Sequence, residues 1–161
     1  MQIGDVIRWN EYPYPQYNNI IKPRWFVYIG CTDIFSIPLR YYFVTTTRQK
    51  TRIITPKDGC SLLTNEFSFF TYPCYIDYDE RPITIIKSIV EKNLDLDIEE
   101  VGELNEKKLK EIYNGIRKSS KYSFQEKLDI YNSFDRDGIT DLEKPVFKRS
   151  GTRLRKKKKS N

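Results

Sequence analysis

The 161-residue sequence predicts an α+β fold, in which a small β-barrel or a strongly curled antiparallel sheet is followed by helices. Two observations favour it. The first half carries five or six short runs of β-branched and aromatic residues separated by turn signals. The second half carries apolar residues at helical spacing behind good N-cap residues. The length suits one domain, which we place at residues 1–147.

The predicted strands follow one another closely. The first spans Ile3 to Trp9, and the proline- and tyrosine-rich loop "NEYPYPQYNN" separates it from a second, Arg24 to Cys31. The third, "LRYYFVTTT", ends in three threonines. Two or three more are expected between residues 51 and 79, namely "TRIIT", "EFSFF" and "CYIDYD".

Three segments predict helices in the second half. "TIIKSIVEKN" places Ile85, Ile86, Ile89 and Val90 on one helical face. Asn105 is a good N-cap for "EKKLKEIYNGI", whose apolar residues recur at i, i+3, i+4 and i+7: Leu109, Ile112, Tyr113 and Ile116. Ser123 and Glu126 form a capping box that opens a further helix, with a predicted stripe of Leu128, Tyr131 and Phe134.

The net charge of +6 is concentrated at the C-terminus. The last fourteen residues, "KRSGTRLRKKKKSN", hold eight of the 28 Lys and Arg and no acid, so residues 1–147 carry 20 basic against 22 acidic residues. We predict that 148–161 is a disordered basic tail. It is either a solvated arm or a weak, non-specific contact to nucleic acid through counterion release.

Composition also restricts the chemistry. The chain has no histidine, which excludes Ser-His and Cys-His nucleophiles. Its three cysteines form no Cys-x-x-Cys pair, so neither a disulfide framework nor a metal site is expected, and no cofactor is predicted. No apolar run approaches ~18 residues and no signal pattern opens the chain, so we expect a cytoplasmic protein with no membrane association.

Four features in this order resemble one family: an opening "GDVI", a basic-proline step before the second strand, a threonine run ending the third, and a late "GELNEKKLKEI". The chain is similar here to the MazF/PemK-type toxins of toxin–antitoxin systems. The resemblance covers roughly residues 3 to 117. It implies an SH3-like barrel with a helical C-terminus, a homodimer, metal-independent cleavage of single-stranded RNA, and a cognate antitoxin that occupies the RNA groove.

The resemblance also implies the catalytic residues. Pro23 matches the family's proline, which leaves Lys22 at the position of its catalytic arginine and Arg24 beside it. Thr46 and Thr47 match two hydroxyl residues, the first of which helps to bind the scissile phosphate. Asp77 lies near the acid that some members use as a base. Lys22 or Arg24 is then the stabilising cation or the acid, and a solvated strand end is the alternative for Asp77.

Further side chains are candidates for RNA binding. Tyr12, Tyr14 and Tyr17 can stack on unpaired bases, or the loop that carries them can pack against its own sheet. Thr47 and Arg48 follow the proposed phosphate contact. We expect Lys22 and Arg24 to share one face of an extended strand and to reach one groove with Thr46. A non-catalytic protein on the same fold, which binds RNA or poisons gyrase, is the alternative function.

Overall fold

The computed structural model describes residues 1–14, 21–33, 35–47, 59–62, 66–77 and 80–147, and the side chains of 59–62 and 77 lie outside the description. The tail at 148–161 lies outside it as well. The elements, in chain order, are β1 (Asp5–Trp9), β2 (Arg24–Cys31), β3 (Arg40–Thr47), β4 (Gly59–Leu62), β5 (Cys74–Asp77), β6 (Ile83–Ile86), α1 (Lys87–Asn93), β7 (Ile98–Glu103), α2 (Glu106–Lys118) and α3 (Phe124–Arg136). The α+β class is therefore confirmed.

The strands form one antiparallel sheet in the order β4-β5-β3-β2-β1-β7. Strand β3 changes its partner along its length, because Arg40–Phe43 pairs with β6 whereas Thr46 and Thr47 pair with β5. Among the described strands, β4 and β7 end the order, so the sheet curls without closing into a barrel. Of the two predicted arrangements, the curled sheet is the one observed.

The core lies on both faces of the central strands, and α2 and α3 cover part of it. Strand β2 buries every residue from Phe26 to Cys31. Helix α2 buries the four apolar residues that its spacing predicted, and its N-cap Asn105 accepts a hydrogen bond from the Lys108 backbone N–H at 2.9 Å. Both hydrogen bonds of the Ser123–Glu126 capping box are present. These predictions are confirmed.

Helix α3 buries a different set of residues from the stripe that the sequence predicted. Phe134 is buried as expected, but Leu128 and Tyr131 are only half-buried. The buried face also contains Asp129, Ile130 and Ser133. A polar pair therefore occupies positions that a purely apolar pattern cannot identify.

A buried polar junction seats α3 on the sheet. The Tyr42 hydroxyl donates to Asp129 Oδ2 at 3.0 Å, and Gln125 Nε2 donates to Asp129 Oδ1 at 2.7 Å. Ser133 Oγ accepts from the Cys31 backbone N–H at 3.1 Å and donates to the Asp129 carbonyl at 2.8 Å. Because each of these buried groups has a partner, the junction fixes the position of the helix on β2 and β3.

One predicted element is wrong at its start and another is wrong altogether. The helix predicted over "TIIKSIVEKN" is present as α1, but it begins only at Lys87, and the expected first residues Thr84, Ile85 and Ile86 belong to strand β6. Isoleucine and threonine fit a pleated strand, and β3 supplies the hydrogen-bonding edge. The segment "EFSFF" forms turns rather than a strand, with Phe67 and Phe70 buried in a cluster of aromatic rings.

The remaining differences concern elements that the sequence did not predict. Strands β4 and β7 were not expected, and "TRIIT" lies outside the described residues. Cys31 and Cys74 are buried and form no disulfide bond within the described residues, whereas the Cys60 side chain is not described. In the ranges that the structure describes, no helix has the length and apolar character needed to cross a bilayer.

Candidate functional site

Arg24 opens β2 directly after Pro23 and pairs with Trp9 of β1. Its side chain is half-buried, whereas Lys22, which precedes the strand, is exposed. Within the described part of the chain, Arg24 makes no ion pair with a carboxylate. A partly desolvated guanidinium that no described carboxylate pairs with can bind an external anion through two parallel N–H donors.

The strand register shows on which face of the sheet each of Thr45, Thr46 and Thr47 lies. Phe26 pairs with Thr45, and side chains alternate along a strand, so Arg24 lies on the face of Phe26 and Thr45. Alternation along β3 puts Thr47 on the same face as Thr45. Thr46 faces the other side of the sheet. By this alternation Arg24 and Thr46 lie on opposite faces of the sheet, whereas we expected them to reach one groove, and the hydroxyls on the side of Arg24 belong to Thr45 and Thr47.

The first-loop tyrosines have two different roles. Tyr12 is only 5% exposed and packs its ring against Trp9 and Phe26, with centroids 5.3 and 4.9 Å apart. The prediction that Tyr12 stacks on a base is corrected, because its ring is occupied by core contacts. Tyr14 is 51% exposed and lies edge-on against Tyr12 at 5.6 Å. Its ring therefore has an accessible surface and a fixed support.

Arg24 lies close to this loop, because it pairs with Trp9, whose ring contacts Tyr12. Burial, followed by the neighbouring Tyr14, raises the pKa of Tyr12 to about 12, and the Arg24 guanidinium opposes that rise. Tyr12 is consequently a neutral phenol at physiological pH. We call the surface formed by Arg24, Thr45, Thr47 and Tyr14, with the buried Tyr12 supporting Tyr14, the Arg24 face.

The other predicted site residues are only partly described. The backbone of Asp77 pairs with Gly59 at the end of β5, but the Asp77 side chain is not described. Tyr17 and Arg48 lie outside the described residues. The residue across from Thr47 on β5 is Tyr75, whose ring is half-buried. The proposed base is thus connected to the Arg24 face through the β3–β5 pairing of the backbone.

The Arg24 face combines groups that suit a nucleotide. One cation and two hydroxyls can bind phosphate oxygens, and one exposed aromatic ring can stack on a base. Sequence reasoning missed Thr45, which it treated only as a member of the threonine run. Alternation from Phe26 identifies Thr45 once the register between β2 and β3 is known.

No known protein family matches the chain, and searches of curated proteins and of solved structures found no match either.

Proposed function

We propose that this protein binds single-stranded RNA on the Arg24 face and cleaves it without a metal ion, as an endoribonuclease toxin of the MazF/PemK type. One observation carries the proposal. The half-buried guanidinium of Arg24 has no carboxylate partner among the described residues and shares its sheet face with Thr45 and Thr47. This is the donor set that a phosphodiester group requires, and the resemblance supplies the reaction.

Binding and base contact would act together. Arg24 would donate two hydrogen bonds to the phosphate, and the threonine hydroxyls would approach its remaining oxygens. Tyr14, supported by Tyr12, would stack on an adjoining unpaired base. Double-stranded RNA would bind more weakly, since its bases are already stacked.

Cleavage would proceed by attack of the neighbouring ribose 2′-oxygen on phosphorus. A base, Asp77 in this proposal, removes the 2′-OH proton while the O2′–P bond forms and the P–O5′ bond breaks. An acid, Lys22 or Arg24, protonates the departing 5′-oxygen. The products are a 2′,3′-cyclic phosphate and a 5′-hydroxyl. The cation that is not the acid stabilises the charge that develops on the phosphoryl oxygens.

The family resemblance extends the proposal to partners. It implies a homodimer in the cytoplasm and a cognate antitoxin that covers the RNA-binding groove. Because the antitoxin would compete with RNA, we expect it to present carboxylates to Arg24. Light scattering at micromolar concentration should report twice the 19.3 kDa chain mass, and a monomer would remove a groove shared between two chains.

A non-catalytic protein that binds RNA, or a gyrase poison on the same fold, is the second candidate. It is favoured by the position of Thr46 on the opposite face from Arg24, because the pairing expected from the catalytic family is not assembled. Binding by the Arg24 face requires only its cation, hydroxyls and exposed ring. Cleavage also requires a base and an acid.

Incubation of the purified protein with a mixed single-stranded RNA in EDTA distinguishes the two candidates. Discrete fragments ending in a 2′,3′-cyclic phosphate would support the endoribonuclease. Arg24→Ala should then reduce the cleavage rate on the order of a hundredfold or more, as expected for loss of a preorganised donor to a charged transition state. Binding without fragments would support the second candidate.

Two substitutions serve as matched controls. Arg8→Ala removes an arginine from the adjacent strand, where Arg8 pairs with Trp25 and therefore lies on the opposite face. Thr46→Val is compared with Thr45→Val and Thr47→Val, which remove one hydroxyl each from the Arg24 face. If folded Arg24→Ala cleaves and binds RNA as Arg8→Ala does, the assignment of this face is wrong.

A further inference from the structure

A cleft of about 740 Å³ lies where the C-terminal end of α2 meets the first turns of α3 and the segment that ends at Phe147. Its lining combines cations, hydroxyls and apolar side chains. We call it the helical cleft. No residue in it was assigned a function by the sequence or by the family resemblance, and none of its lining residues belongs to the Arg24 face.

Arg117 provides the first charge of the helical cleft. Its Nη1 lies 2.7 Å from Glu143 Oε1, and the Arg117 side chain is 23% exposed whereas that of Glu143 is 68% exposed. Arg117 Nε is buried and has no acceptor among the described residues. The guanidinium is thus incompletely satisfied by an exposed carboxylate that can move aside, and it can accept an anion in exchange.

Lys127 and Lys118 add two further cations. Lys127 Nζ donates to the Ser119 carbonyl at 2.5 Å, which satisfies a carbonyl at the end of α2. Burial, and then the nearby Arg117, lower the pKa of Lys127. Lys118 is exposed at the cleft wall. The carbonyl end of α2 explains one cation, but among the described residues that line the cleft three are cations and one, Glu143, is a carboxylate.

The apolar part of the helical cleft is also exposed. Phe147 is 63% exposed and meets Phe124 edge-on at 5.3 Å, and Val146 is 76% exposed. Solvent therefore reaches an aromatic ring that lies beside the cations. Cations that track a phosphate next to an aromatic ring that stacks on a base are the usual elements of single-strand binding.

We propose that the helical cleft binds a phosphodiester group of single-stranded RNA between Arg117 and Lys118, with an adjoining base on Phe147. Lys127 supports the site by adding positive charge behind the phosphate. The proposal does not depend on catalysis at the Arg24 face, because it concerns binding alone.

Fluorescence anisotropy of the full chain with a labelled 2′-O-methyl RNA oligonucleotide tests the proposal. The methyl group blocks the 2′-hydroxyl, so binding is measured even if the protein cleaves RNA. Arg117→Gln and Lys118→Gln should each reduce the slope of log K against log salt by about 0.7, the contribution of one phosphate contact on a single strand. If a variant and the wild type bind equally at 1 M salt, a slope lower by about 0.7 makes the variant bind about fivefold to tenfold more weakly at 50 mM salt.

Lys107→Gln is the matched control, because Lys107 is exposed at the opposite end of the same helix. It removes the same charge and should change the affinity less than twofold. Lys118 has an exposed side chain, so its substitution keeps the test valid if Arg117→Gln fails to fold. Cleft variants that bind RNA within twofold of Lys107→Gln would overturn the proposal.

Removing a negative charge from the helical cleft should have the opposite effect on RNA affinity. Glu143→Gln releases Arg117 from its carboxylate and should strengthen RNA binding severalfold. Glu91→Gln is its control, since it makes the same charge change and likewise breaks a helix-surface ion pair, with Lys87 at 3.4 Å. Equal effects of these two substitutions would refute a local role for the helical cleft.

Polyglutamate of matched length separates phosphate recognition from general attraction to anions. The cleft variants should lose affinity for the RNA and should change little in their affinity for the polypeptide. If both ligands lose affinity equally, the helical cleft is an unspecific cationic surface and the RNA assignment is wrong.

Discussion

Replacing Gly30 by alanine should destabilise the fold more than the same replacement at either of two other glycines. Gly30 lies in β2 with φ of +141°, a conformation that side chains with a Cβ rarely adopt. An added Cβ would lie 2.8 Å from Ser133 Oγ and 2.9 Å from Ser133 Cβ. Gly30 therefore lets α3 approach the sheet closely enough to form the polar junction.

The magnitude follows from two separate costs. An alanine at this φ costs about 1–3 kcal/mol of backbone strain. The overlap with Ser133 forces the helix or the strand to move, and overpacking of this kind costs about 1–3 kcal/mol more. The expected loss in the free energy of unfolding is thus about 2–6 kcal/mol. With a slope of ~2 kcal/mol per molar urea, the midpoint should fall by roughly 1–3 M.

Two matched glycines separate these costs. Gly138 has φ of +82°, and no atom of the described residues lies within 4 Å of the position that an added Cβ would take, so Gly138→Ala measures strain alone. Gly102 has an ordinary φ, and its added Cβ would overlap the Phe69 ring, so Gly102→Ala measures overlap with a side chain that can rotate away. Urea unfolding followed by circular dichroism should rank Gly30→Ala as the least stable of the three.

The result that would refute this reasoning is a Gly30→Ala midpoint equal to that of Gly138→Ala. Contact between α3 and β2 at Ser133 would then contribute nothing beyond backbone strain. A Gly30→Ala protein that remains as stable as wild type would show that neither the strain nor the close approach exists in solution.

Three further predictions address the site, the junction and the tail. The pKa of Tyr12 is raised to about 12, so the unfolded state loses this proton at a lower pH than the folded state, and the free energy of unfolding should fall between pH 10 and 12. Tyr12→Phe should make this fall shallower when it is measured by urea titration at several pH values. An unchanged pH dependence would contradict the burial of Tyr12. Tyr42→Phe removes a buried donor to Asp129 and should cost about 1–3 kcal/mol by urea unfolding, whereas a neutral effect would show that Gln125 alone satisfies this carboxylate. Truncation after Phe147 should leave the thermal midpoint nearly unchanged and flatten the salt dependence of RNA binding, and a large loss of thermal stability would show that the tail belongs to the fold.

Elements whose signals are local could be predicted from the sequence. Asn105 and the Ser123–Glu126 box identified the starts of α2 and α3 because capping depends on residues within one turn. The apolar and aromatic runs identified β2 and β3, whose interiors are buried in the sheet. Gly30 and the polar residues of α3 gave no such signal, because their roles depend on contacts between residues far apart in the sequence, 87 residues for Tyr42 and Asp129 and 102 for Cys31 and Ser133.

Segments and site residues whose assignment depends on a partner became clear only in the folded chain. Ile83–Ile86 fits a helical face or a strand equally well in sequence, and the free edge of β3 selects the strand. The candidate site depends on the register of β2 against β3, which puts Thr45 and Thr47 on the same face as Arg24 and Thr46 on the other face. Side chains alternate with a period of two residues, so a register difference of one residue exchanges the faces; composition and spacing along one strand cannot supply that information.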